Sequence, residues 1–85
     1  MTCLWREWKG DTIYRFQTDE KYIADKMKRR QKFSLTAYGM NCPLWIYRAH
    51  FTRPDLARAA LKSLTGRKII YNVAEEIYYA EGDNA

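Results

Sequence analysis

The chain is short of the residues that most protein chemistry requires. Histidine occurs once, as His50, glycine four times and cysteine twice among 85 residues. One histidine and two cysteines, Cys3 and Cys42, fall short of the three or four ligands at set spacing that a zinc site takes, so no metal or other cofactor is expected. Four scattered glycines leave no glycine-rich phosphate loop, and no Ser-His or Cys-His motif marks a nucleophile. No catalytic residue is assigned on this pattern. No run approaches the ~18 apolar residues of a membrane span. Met1 to Trp8 breaks its hydrophobics with Arg6 and Glu7, unlike a secretion signal. The expectation is a cytoplasmic protein away from any membrane, with both thiols free.

What the chain does have is apolar, aromatic and basic. Its composition, 47% hydrophobic and 29% charged, is that of one globular domain over residues 1–85. The charge is lopsided. All fifteen Lys and Arg lie at or before Lys68, whereas Glu75, Glu76, Glu81 and Asp83 follow it. A basic body favours anionic partners, nucleic acid above all, through steering and counterion release.

Along the chain, residues 1–11 form an aromatic leader closed by the turn-forming Lys9-Gly10-Asp11. The leader is a candidate extra strand. Thr12 to Thr18 alternates and is rich in β-branched and aromatic types, as a strand should be. Thr18 then serves as a predicted N-cap for a helix running to about Arg30, with Tyr22, Ile23 and Met27 as its buried stripe. Phe33 to Gly39 and Leu44 to Phe51 alternate again. Thr52 and Pro54 open a second helix, whose stripe is Leu56, Ala57, Ala60, Leu61 and Leu64 and whose stop is Gly66. Ile69 to Val73 is a fourth strand, Ile77 to Ala80 extends it or returns as a hairpin, and 81–85 is a tail expected to fray.

Residues 12–80 thus read β-α-β-β-α-β, one unit written twice. Tyr14-Arg15 is echoed by Tyr47-Arg48 and Thr18 by Thr52, with Tyr22 and Met27 echoed by Leu56 and Leu61. The offset grows from 33 to 34 inside the strand, which predicts a bulge there. This order resembles the ferredoxin-like fold. That resemblance implies an α+β sandwich, a four-stranded antiparallel sheet with two helices on one face.

Three surfaces are candidates for binding. Lys26, Lys28, Arg29, Arg30 and Lys32 put five cations within seven positions at the end of the first helix. That density suits a phosphate backbone, although helix ends also gather cations to complement the macrodipole. Arg53 and Arg58 on the second helix extend this set. Strand alternation, with the more aromatic set turned to the helices, puts Arg15 and Arg48 side by side on the open face. RNA-recognition-motif proteins of similar topology bind single strands at that place, using aromatics where this chain has arginines. Finally, Ile13, Leu44 and Ile46 give the open face an apolar half, to be covered by Trp5 and Trp8 or by a second molecule.

The leading functional expectation is a small non-catalytic module binding RNA or single-stranded DNA. The alternative is a protein-binding inhibitor or adaptor, of the kind phages and mobile elements encode, and a homodimer is expected in either case. A third reading, a small dimeric cofactor-free enzyme, would use His50 as its base.

Overall fold

A computed structural model describes residues 1–82. Six strands and two helices follow in the order β1 Thr2–Arg6, β2 Ile13–Thr18, α1 Lys21–Lys28, β3 Ser34–Tyr38, β4 Trp45–His50, α2 Pro54–Thr65, β5 Ile69–Asn72 and β6 Ile77–Ala80. They build an α+β fold with one antiparallel sheet in the order β3-β4-β2-β1-β6-β5.

The sheet therefore has six strands, not the expected four. The leader is a full strand, and it enters the sheet between β2 and β6. Its residues alternate as a strand's do, and Gly10 at φ 84° turns the chain back into β2. Asp11 fixes that turn, since its Oδ1 accepts from the Thr12 amide at 2.6 Å. Leu4 then lies opposite Phe16 and Trp5 opposite Arg15. On the other side β1 pairs with β6, Cys3 opposite Tyr79 and Trp5 opposite Ile77. Ile77–Ala80 returns as a hairpin strand on β5.

At the sheet centre Arg15 and Arg48, which the sequence echo aligns, are direct cross-strand partners on β2 and β4. The β2–β4 register runs without interruption, so the bulge expected inside the repeated strand is not there. A separate register shift lies in β3, between Leu35 and Ala37.

Both helices pack on one face over Leu4, Tyr14, Phe16, Tyr47 and Ala49. The rings of Phe16, Phe33 and Phe51 meet there, Phe16 and Phe33 edge to face at 4.9 Å. α1 is shorter than its sequence pattern predicts and buries Ile23, Ala24 and Met27. Tyr22, expected in that stripe, is exposed, because it turns in the first helical turn toward Arg67. α2 buries Ala57, Leu61 and Leu64 and leaves Leu56 exposed. Neither threonine caps its helix. Glu20 and Arg53 hold the cap positions in extended conformation, without side-chain cap bonds. Gly66 ends α2 as expected, at φ 68°, with its amide bonded to the Lys62 carbonyl at 2.7 Å.

Sheet width decides what remains uncovered. Each helix is about 10 Å across and covers roughly two strands spaced ~4.8 Å apart. α1 lies on β2, while α2 lies on β1, β5 and β6. With β1 inserted, the two helices do not reach the far edge, and all five residues of β3 are exposed. Of the tail, the Glu81 amide bonds the Lys68 carbonyl at 2.8 Å, and residues 83–85 lie outside those described.

Candidate functional site

The open face of the sheet is ordered in rows that follow from the register. One row reads Ser34, Arg48, Arg15, Trp5, Ile77 and Asn72 across the six strands. The next reads Ala37, Ile46, Gln17, Cys3, Tyr79 and Ile70. Arg15 and Arg48 do stand side by side, as alternation along the strands predicts. They are not equivalent electrostatically, however. Arg15 donates to Glu7 at 2.8 Å, whereas Arg48 is exposed. Ile13 and Ile46 are half-buried on this face, and Leu44, just before β4, lines a small hollow of about 180 Å³ with Ala37, Tyr38, Gly39 and Ile46.

The tryptophans do not fold over that apolar half. Trp5 belongs to the face itself, beside Arg15 and Ile77, and Trp8 sits 67% exposed in the β1–β2 turn. A shallow cavity of about 440 Å³ forms around Cys3, Trp5, Gln17, Ile77 and Tyr79, with Glu75 and Glu76 at its margin. Cys3 is buried, and desolvation pushes its thiol up to about 11. Cys42 is an exposed free thiol. His50 is exposed opposite Ile13 and lines none of these cavities.

Most of the cationic charge lies with the helices. Residues 19–33 and 53–68, which carry α1, α2 and their flanks, hold eleven of the fifteen Lys and Arg but only four acids, Asp19, Glu20, Asp25 and Asp55. Within the basic run the structure separates two roles. Lys26, in the last turn of α1, and Arg30, just beyond its C-cap, reach across to α2. Lys26 Nζ donates to the Leu64 carbonyl at 3.2 Å, and Arg30 lies 3.4 Å from Ser63 Oγ. Lys32 stands over the Phe51 ring at 4.4 Å. Lys28 and Arg29 are exposed. On α2, Arg53 pairs with Asp55 at 3.3 Å and Arg58 is exposed.

Beside this run lies a groove that the sequence pattern did not reveal. It holds about 490 Å³ between α1 and the β3 edge. Ala24 and the stems of Lys21 and Lys28 form one wall. Phe33, Leu35, Tyr38, Trp45 and Tyr47 form the floor. Alternation assigned Trp45 and Tyr47 to the covered face, and they are on it. Because no helix roofs β3, Trp45 is only half-buried and Tyr38 is 59% exposed. Lys21 and Asp25 pair across the rim at 3.1 Å. Burial, and then the Asp25 charge, raises the Tyr47 phenol above its ordinary pKa.

Comparison with protein-family models, curated proteins and solved structures finds no match.

A separate polar cluster locks the opposite ends of the helices. Arg67 donates to both carboxylate oxygens of Glu20, to Oε2 at 2.9 Å, and to the Tyr22 hydroxyl at 2.6 Å. Thr2 donates to Glu20 Oε2 at 2.7 Å, so the 2.6 Å contact between the two threonine hydroxyls must have Thr18 as its donor. These bonds, Arg67 first and Thr2 after it, outweigh the opposing effect of burial and hold Glu20 down to about 2. Among the described residues no buried side-chain nitrogen or oxygen lacks a hydrogen-bond partner, so the cluster reads as a clamp. Among the described residues no group of three or more His, Cys, Asp or Glu is placed to hold a metal ion, and no helix is long and apolar enough to cross a membrane.

Proposed function

We propose that the protein is a non-catalytic binding module that takes nucleic acid through its helix layer, not through the open face of the sheet. The observation that carries this reading is the segregation of charge. Eleven cations against four acids accompany the helices, and Lys28, Arg29, Arg58 and Lys62 are exposed there. A surface of that kind tracks phosphates without reading sequence, and its affinity falls steeply with salt. The open face suits the task less well, because Glu7 already neutralises Arg15 and Glu75 and Glu76 stand at its margin. Titration of labelled RNA, single-stranded DNA and duplex DNA over a range of salt tests the reading. Binding with a negative log–log salt slope supports it, and no binding to any of them at about 50 mM salt removes it.

A second reading, a protein-binding regulator of the inhibitor or adaptor type, draws on the other face. Trp5, Ile77 and Tyr79, with Ile13 and Ile46 beyond Arg15 and Gln17, are apolar residues on the side that the helices leave open. Sheet-to-sheet pairing of two copies there is the homodimeric form of the same idea. Size exclusion with light scattering tests it: a dimer that Ile77→Lys dissociates supports it, and a monomer at high concentration counts against the homodimer. The ferredoxin-like relationship belongs at this level too. It rests on β2, α1, β3, β4 and α2, with β1 standing where that topology sets its last strand beside β2.

A further inference from the structure

We infer that the groove between α1 and β3 accepts an unpaired nucleobase, which makes the helix layer selective for single strands. The inference rests on the nucleic-acid reading and deepens it. Single-strand binders pair a cationic track for the backbone with aromatic rings on which bases stack, and both parts meet here. Lys28 belongs at once to the basic run and to the groove wall, with Arg29 beside it. The floor offers Trp45 and Tyr38, direct cross-strand partners on the same face of the sheet, with Leu35 and Tyr47 paired one step further along. At about 490 Å³ the groove has the size of an ordinary small-ligand pocket. Its charges are arranged for an anion outside and a ring inside. Asp25 is answered by Lys21 at 3.1 Å, which leaves Lys28 for a phosphate at the mouth. A base paired in a duplex presents no free face to such a floor, so the groove discriminates by the strand's state and not by its sequence.

The test varies the ligand as well as the protein. A short oligothymidylate, the same length of abasic phosphodiester backbone and a duplex are titrated at matched salt. The oligothymidylate is expected to bind about tenfold more tightly than the abasic strand. Tyr38→Ala, at an exposed edge position, is expected to remove most of that advantage while leaving abasic binding unchanged. Equal affinity for the oligothymidylate and the abasic strand overturns the inference but leaves backbone binding standing. So does tighter binding of the duplex. Failure of all three ligands to bind removes the nucleic-acid reading itself. The abasic comparison needs no substitution, so a poorly folding variant does not blunt it.

Discussion

Arg67 grips both carboxylate oxygens of Glu20 from 47 positions away in the chain, just beyond the glycine that ends α2. Through Thr2 the same carboxylate reaches β1. One ion pair therefore joins the start of α1, the end of α2 and the strand that widens the sheet. It is mostly buried, with side-chain exposures of 16% and 19%, so it escapes the solvent screening that leaves surface pairs nearly worthless.

Removing one partner strands the other. Arg67→Ala is expected to cost about 3 kcal/mol, as a charge left without its partner in a mostly buried site does. Arg67→Lys should recover only part of it, because an ammonium cannot bind both oxygens in the same fork. Urea denaturation of the variants measures both losses.

The clamp also fixes a pH dependence. Glu20 is depressed from 4.5 to about 2, so its contribution is complete above the unfolded pKa and disappears as pH falls from about 5 toward 2. The loss is expected to be on the order of 2 kcal/mol. Stability curves taken between neutral and acid pH should show this fall in the parent and a shallower one in Glu20→Gln.

Within the basic run, two kinds of cation should separate experimentally. Neutralising Lys28 and Arg29 is expected to lower the salt slope of single-strand binding by about 0.7 per cation while leaving stability unchanged. Neutralising Lys26 or Arg30, which bridge to α2, should instead cost about 0.5–1 kcal/mol of stability. Binding isotherms and thermal melts on the same four variants check the division.

The thiols should differ as sharply. Cys42 is exposed, while Cys3 is 4% exposed with its thiol raised to about 11. A thiol reagent at neutral pH is expected to label one cysteine quickly in the native protein and both after denaturation. Rapid labelling of two in the native state would contradict the position of Cys3 inside the sheet.

Much of the fold was legible locally. Alternation found β2, β3, β4 and β5, and the leader's pattern marked it as a candidate strand. Gly66 could be read as a stop because only a residue without Cβ sits easily at positive φ. The alternation rule even paired Arg15 with Arg48. What local pattern does not encode is the choice of neighbour. Nothing in residues 2–6 says that Cys3 will lie against Tyr79, and sheet width follows from that pairing. The groove follows from the width, so Tyr38 and Trp45 could not be recognised in advance as a half-open floor. Arg67 was hidden for the same reason, since its partner Glu20 is far away in sequence.

The seat of β1 also shapes the order in which the protein can assemble. Residues 2–6 pair at once with residues 13–18 across a short turn, but their other side is completed only by residues 77–80. Until those arrive, the four strands β3, β4, β2 and β1 end in an open β1 edge. Contacts so distant in sequence form slowly, because a long stretch of chain must first be brought together. The last hairpin is therefore expected to close the sheet late in folding, and a chain halted before it would offer β1 to whatever strand came nearest.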